Sequence, residues 1–517
     1  MAGLSQRDAV EVLIELRNDV LGQRGLSWEQ WSRQLSGLDG RDWLLLDKLA
    51  RRGTWTPPIL HGVRGWSSLD LARAPVPALA AAAMHVDGRL REQAVGALAR
   101  HSGPVSSAVL GLRLLDHVEE VAAAARDVVR ARPSGLEVDL VAEVLLEGAD
   151  RRAAGARWDG LVDALGLDTP PVLDQLRAST RRRARRWAVE QSLDRGLLDE
   201  DTVLRIAAAD PDQWLRRAAS EHLVRTPTPE RLGSLLGAPS VEARLTAVTR
   251  TPDELLDASV METLVLDRSP RVREQARWRA RRRGVDVADV CRRRLDDPAP
   301  RIVAAALDGL AWYGDETDVR PVTRLLDHSS PTVRAAAVRT FAARAPAELA
   351  VRTLAPRPDD PSGRVGNAAA TVLARAHAAP SSTAGAWRSP RPTARLAAWR
   401  VDRAAGGWAR VAADLRAAAD PDGRLAGLGR DGLRGWLVDG AASTWGRPDP
   451  EQVRTMTDHL GSSDLSAVDE ELIAFHAGLP FERREFTAAP APASGATQPP
   501  RPTERRGLWS RLHRRSR

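Results

Sequence analysis

Two runs of arginine carry the densest chemistry in this 517-residue chain. In the first, Arg177, Arg181, Arg182, Arg183, Arg185 and Arg186 surround Trp187, with no acidic residue from 177 to 189. In the second, Arg271, Arg273, Arg277, Arg279, Arg281, Arg282 and Arg283 enclose Trp278, and Glu274 is the one acid among them. A guanidinium is planar and permanently charged, so beside an indole it suits a phosphate or a stacked base. Two readings therefore stand. Arg181, Arg182, Arg185, Arg186, Trp187, Arg277, Trp278 and Arg281 form an anion- or partner-binding groove, or they line solvated helix faces paired with acids elsewhere, such as Asp210 and Glu242.

The remaining chemistry is sparse. Lys48 is the only lysine and lies in LLLDKLARRG, which has no glycine pattern before it, so it serves no phosphate-binding loop or Schiff base. No His-Glu-x-x-His motif occurs. His85, His101 and His117 stand sixteen apart, a spacing that needs unseen convergence to hold a metal and reads more simply as surface or core histidine. Cys291, the only cysteine, shares an apolar helical spacing with Val287, Val290 and Leu295 and reads as a core thiol. Gly427, Gly429 and Gly432 match G-x-G-x-x-G, but DPDGRLA rather than a strand precedes them, which favours close helix packing over a dinucleotide turn. No catalytic residue, cofactor or metal site is assigned.

Net charge is +8, yet residues 480–517 hold nine arginines against three glutamates, six of those charges, and leave about +2 for the rest. The pI near 10.8 therefore belongs mostly to the tail and is weak support for a nucleic-acid partner. A lone cysteine, no run of eighteen apolar residues and an acid-containing start without a cleavage site lead to the expectation of a cytoplasmic protein.

The elements that must position the arginines recur. DPDQWLRRAASEHL, DRSPRVREQARWRA, DDPAPRIVAAALDGL and DHSSPTVRAAAVRTF each read as a turn followed by an Ala-rich helix. Aligning the residue that opens this helix gives Leu90, Val121, Ala153, Ala184, Leu215, Val241, Val272, Ile302, Val333, Val365, Leu396 and Leu425. Nine of the eleven spacings fall within one residue of 31, which chance alanine richness does not produce. Asp116, Asp210, Asp267, Asp297, Asp360 and Asp420 precede this position by five and are expected to accept N–H bonds from the next helix. The helix before each turn is apolar at helical spacing, as in Val319, Val322 and Leu326. A lone pair of such helices cannot bury its apolar face, so the units must stack.

The turn with its hydrophobic-Arg pair (Leu90-Arg91, Leu215-Arg216, Val272-Arg273, Val333-Arg334) resembles the HEAT-like repeat family over about residues 75–430, in its short form of about thirty residues. The resemblance implies an all-α fold, a right-handed α-α superhelix whose second helices line a concave face. It also implies a structural ladder of turn acids and arginines: Asp210, Arg216, Asp267, Arg273, Asp297 and Arg334. Glu242, Val303, Gly366 and Ala397 replace the arginine in some units.

The expected organisation is an N-terminal helical cap over 1–74, an array over 75–376, an interrupting loop or hinge at 377–393, degenerate repeats with a C-terminal cap over 394–479, and a disordered basic tail at 480–517. Within the cap, helices are expected at 5–21, 27–36 and 40–52, with Ser27 and Gln30 as a capping box and Trp28, Trp31 and Trp43 covering the first repeat. In the tail, a helix would gather Leu508, Trp509 and Leu512 among arginines, for weak contact with a membrane or acidic partner, or the segment is simply solubilising. The first functional expectation is a non-enzymatic scaffold binding a protein partner on its concave face. The alternatives are a nucleic-acid binder using the Arg/Trp clusters, including one like the alkylpurine DNA glycosylases, and a maturation factor like the bilin lyases. The oligomeric state is left open.

Overall fold

The computed structural model describes residues 3–480 apart from 21, 23–24, 52–68, 132–135 and 150–157. The expectations for the tail, for the Leu508–Leu512 cluster and for the Ala153 ladder position lie outside the described residues. Among the described residues the chain is an all-α solenoid with no strand, and no helix is long and apolar enough to cross a membrane. It forms two compact units that meet in sequence after Thr246.

The first unit opens with helices Gln6–Val20, Trp28–Ser36 and Gly40–Arg51. Ser27 and Gln30 form the expected reciprocal cap, at 3.2 Å and 2.8 Å. Val12, Leu13, Leu16, Trp31 and Trp43 are fully buried against helix Val76–Ala83, whose alanines are buried too, while Trp28 packs at the edge of this core. A charged clasp accompanies the apolar one. Asp47 of the third helix pairs with Arg113, Arg113 with Asp116 at 2.7 Å, and Asp116 with Arg91 at 2.9 Å. All four side chains are at most 1% exposed. Helix pairs then follow as Val76–Ala83 with Gly88–Leu98, Pro104–Leu114 with Glu119–Ala131, and Glu200–Ala209 with Gln213–Leu223.

The second unit runs from the pair Ala258–Val265 and Pro270–Arg282 to the pair Pro450–His459 and Ala467–Ala477. Its second helices Pro300–Tyr313, Pro331–Arg344, Gly363–Arg375 and Pro392–Ala404 stack on one another. Small side chains allow this approach: Ala335, Ala336 and Ala337 are all buried. Thr340 Oγ1 also donates across to the Leu307 carbonyl at 2.8 Å.

One joint recurs in both units. A turn side chain accepts the N–H two residues on: Asp210 from Asp212 at 2.8 Å, Asp267 from Ser269 at 2.7 Å, Asp360 from Ser362 at 2.8 Å and Asp420 from Asp422 at 2.8 Å. The imidazoles of His85 and His328 do the same for Asp87 and Ser330, at 3.0 Å and 2.9 Å. This corrects the expected role of the turn acids. They close an Asx turn onto the residue before the helix, and that residue is the N-cap. Six residues later an arginine donates back to the turn carbonyl, as Arg91 to His85 (3.0 Å), Arg216 to Asp210 (2.7 Å), Arg273 to Asp267 (2.9 Å) and Arg334 to His328 (2.9 Å). Three of these guanidiniums also reach an acid of the following repeat: Arg91–Asp116 and Arg334–Asp360 in its turn, and Arg216–Glu242 in the first turn of its helix Val241–Arg250. Arg395 reaches Asp420 in the same way.

Two ladder positions shift. Arg244 donates to the Ala238 carbonyl at 2.7 Å and Arg395 to Ser389 at 2.9 Å, so the residues that precede them, Ala243 and Ala394, are the ladder positions rather than Val241 and Leu396. Both alanines are buried. Asp297 is not the partner of Arg273. It lies 24 residues on, one or two short of the spacing in paired repeats, and meets Arg294 at 3.4 Å, while Arg273 reaches Asp308 at 3.1 Å. Gly366 replaces an arginine because the turn Arg357–Asp359 fills that space: an added Cβ would meet the Pro358 carbonyl at 2.8 Å.

Residues 377–393, expected to form a loop or hinge, contain the turn Pro380–Thr383 and the short helix Ala384–Trp387. Thr383 Oγ1 and Trp387 Nε1 donate to the buried Asp402 carboxylate at 2.6 Å and 2.7 Å, which fixes this shortened first helix on its partner Pro392–Ala404. Gly427, Gly429 and Gly432 lie inside helix Gly423–Asp439. A Cβ on Gly429 would strike the Ala418 amide, and one on Gly432 the Asp414 carboxylate at 2.5 Å. These two glycines serve helix packing.

Candidate partner-binding surface

The first arginine run lies on helix Arg182–Asp194 and the turn before it, and its charges are matched within the first unit. Arg181 meets Glu143 at 3.0 Å and Asp139 at 3.5 Å. Arg185 holds Asp210 with two bonds. Arg182 and Arg186 share Asp212, at 3.1 Å and 2.6 Å. The Arg186 bond, joined by that of Arg182, holds the Asp212 carboxyl well below the usual carboxylate range despite partial burial. Trp187 is half-buried against the core. These acids come from one repeat earlier or later, which is why the run looks unpaired when read locally.

The second run divides. Arg277 is buried, donating to the Val265 carbonyl at 3.2 Å and the Ala305 carbonyl at 2.7 Å, and burial lowers its pKa. Arg279 is also buried and pairs with Asp253. These two hold neighbouring helices together and are withdrawn from any ligand. Beside Arg277 lies Cys291, whose thiol is pushed up to about 11 by burial, against the pull of that guanidinium. Such a thiol is a packing group, not a nucleophile.

The last turn of the same helix is different. Arg281, Arg282 and Trp278 are exposed, Trp278 to 55%. The Arg282 guanidinium lies 4.8 Å from the Trp278 ring centroid, and that of Arg281 lies 5.4 Å from the ring of Tyr313, at the end of the next second helix. Trp312, beside Tyr313, is 80% exposed. Among the described residues, neither Arg281 nor Arg282 has a carboxylate within 4 Å. A cleft of about 420 Å³ opens between Arg281, Gly284, Val287, Trp312 and Tyr313, with Asp286 on its rim. Gly284 takes a left-handed φ of +73° to turn the chain there. Sequence reading found Trp278 and Arg281 but missed Trp312 and Tyr313. The signal was available: Trp312 follows Arg281 by 31 residues, one repeat on.

His85 and His328 are turn groups, and His117 lies exposed beside Asp116 at 3.3 Å. Among the described residues no three histidine, cysteine or acidic side chains gather as a metal site.

Stacked helix pairs joined turn to turn by a guanidinium define an α-solenoid of the HEAT-like class. Residues 258–342 match the family model for HEAT repeats, a stretch that holds three helix pairs and the aromatic–arginine surface, so the chain carries HEAT-like repeats there. No curated protein matches it in sequence.

Proposed function

We propose that the chain is a non-catalytic scaffold in the cytoplasm that holds a protein partner. The partner sits on the second-helix side of the second unit, the side that the family likeness makes concave. The observation that carries this reading is the pair of exposed indoles, Trp278 and Trp312, set around two stacked arginines and a cleft. Tryptophan, tyrosine and arginine are the residues that dominate binding energy at protein interfaces, and solvent-exposed indoles cost solubility unless something covers them. The nucleic-acid reading is weaker, because the first arginine run is matched by Asp210, Asp212 and Glu143 and offers no continuing track of phosphate contacts.

The test uses the full chain as bait in a nuclease-treated native lysate, beside a variant carrying Trp278→Ser and Trp312→Ser. The reading expects a stoichiometric protein that the variant loses while its circular dichroism and melting are unchanged. Recovery of the same protein by both baits overturns it.

A further inference from the structure

We propose that this surface takes an acidic segment of the partner, one in which carboxylates flank an apolar side chain; this rests on the reading above. Each of the two guanidiniums lies over a ring, its carbon 5.4 Å and 4.8 Å from the centroid, and a cation–ring contact leaves N–H groups able to donate to a ligand. Several arginines of the second unit have acids of their own: Arg273 has Asp308, Arg279 has Asp253, and Arg292 has Asp315 and Asp318. Arg281 and Arg282 are exposed and form no ion pair among the described residues. The Arg279 bond lowers the Asp253 pKa, Arg283 and Arg282 add to that field, and the Arg283 guanidinium donates to the Leu256 carbonyl. What distinguishes Arg281 and Arg282 is their place over the Tyr313 and Trp278 rings, next to the exposed Trp312. Basic residues in a last turn do favour the helix dipole. That accounts for the arginines but not for two exposed indoles beside them.

The cleft supplies the second half of the match. It is an open cleft of about 420 Å³ with a largely polar lining, and its apolar surface is that of the Trp312 and Tyr313 rings, against which an apolar side chain can pack beside Arg281. The one acid on the rim, Asp286, is engaged by the N–H groups of Ala288 and Asp289, at 2.9 Å and 3.1 Å. Close by, Arg293 pairs with Glu262 and Asp289, and Arg344 donates to the carbonyls of Gly314 and Ala311. The indoles, the cleft and the two arginines are gathered at the ends of two adjacent second helices, a footprint that suits a short acidic peptide. A single-stranded nucleic acid is served by an extended cationic groove with stacking aromatics, and it is the alternative that an oligothymidine probe must exclude.

Fluorescence polarisation of the full chain tests the inference with three labelled probes: a peptide of glutamates around a central Leu-Phe, its lysine-for-glutamate copy, and an oligothymidine. The expected result is at least about tenfold tighter binding of the acidic peptide than of its lysine copy, with affinity falling as salt rises. In the Arg281→Glu, Arg282→Glu variant that preference reverses, and in Arg281→Ala, Arg282→Ala it disappears. Equal binding of both peptides, tighter binding of the oligothymidine, or a preference unchanged in the charge variants overturns the proposal. The lysate experiment separates it from the reading beneath it. If the tryptophan variant loses the partner but the charge-reversed variant keeps it, the surface stands and the acidic chemistry falls. If both keep the partner, both fall.

Discussion

Asp116→Asn isolates the electrostatic clasp that joins the N-terminal helices to the first repeats. The carboxylate accepts from Arg91 at 3.0 Å and 2.9 Å, from Arg113 at 2.7 Å and from the Val118 amide at 3.1 Å, and it is fully buried. Asparagine keeps the shape but removes the charge and turns an N–H₂ toward one of two guanidiniums. Arg113, itself fully buried, is then left with Asp47 alone. Breaking a buried pair on one side costs about 3–5 kcal/mol. Because 1.4 kcal/mol is tenfold, amide exchange in helices Gly88–Leu98 and Pro104–Leu114 should accelerate by roughly a hundred- to a few-thousandfold. Native-state hydrogen exchange read by mass spectrometry measures this. Glu29→Gln is the control: its pair with Arg33 is exposed on both sides, and such a pair is worth at most about 1 kcal/mol. The pH dependence has a defined sign. Burial alone would raise the Asp116 pKa, but Arg113 and Arg91 hold it below the usual carboxylate value. The contribution is therefore fully present above about pH 4, where the unfolded carboxylate titrates, and is lost as pH falls through the lower folded value. The gap between wild type and variant should close in that acid range. A change below about 1 kcal/mol at neutral pH refutes the claim that the charge, and not the packing around it, holds the clasp.

Gly427→Ala and Gly429→Ala should differ in sign although the residues stand two apart on one helix: the first has open space and should gain up to about 1 kcal/mol of helix propensity, while the second would strike the Ala418 backbone and should lose more than that, both read by thermal melting. Gly309→Ala should destabilise by about 1–3 kcal/mol because its Cβ would meet Cys291 Sγ, and Cys291→Ala should restore part of the loss in a double-mutant cycle. Native protein should resist thiol labelling at Cys291 and react fully in denaturant, since the thiol is buried and its pKa is raised to about 11. Asp402 has the opposite sign to Asp116: burial raises its pKa, so its contribution to stability falls as pH rises from about 4 through the folded value, and Asp402→Asn should flatten that part of the pH–melting profile.

The repeat was legible because its turns are chemically marked. Asp210, Asp267, Asp360 and Asp420 stand where a side chain must accept an N–H two residues on, and no apolar residue does that. Register slipped where the mark was apolar. Val241 and Leu396 look like ladder residues, but the buried positions are Ala243 and Ala394, and one alanine in an Ala-rich helix carries no label. The shortened helix at Ala384–Trp387 was hidden by a Pro- and Ser-rich composition. What holds it is Asp402, fifteen residues after Trp387 and on the next helix. The site was legible by half. From Arg181 on, the neutraliser of an arginine in the first run sits 25 residues away, as Asp210 does for Arg185, or as many as 42, as Asp139 does for Arg181, so a local scan counts charges that the fold has already matched.

That same rule gives the functional reading its force. In a solenoid whose arginines stitch each turn to the next, a paired guanidinium is evidence of architecture, and only an unpaired one can be evidence of a partner. Arg181, Arg182, Arg185, Arg186 and Arg277 fall in the first class by their bonds. Arg281 and Arg282 fall in the second, and they do so where the repeat register also exposes Trp278 and Trp312. Both features stabilise the array only a little: an exposed indole buries little area, and a cation over it at the surface contributes about 0.5–1 kcal/mol. A surface that the fold needs so little, built from the residue types that anchor interfaces, is the one the proposed partner would cover.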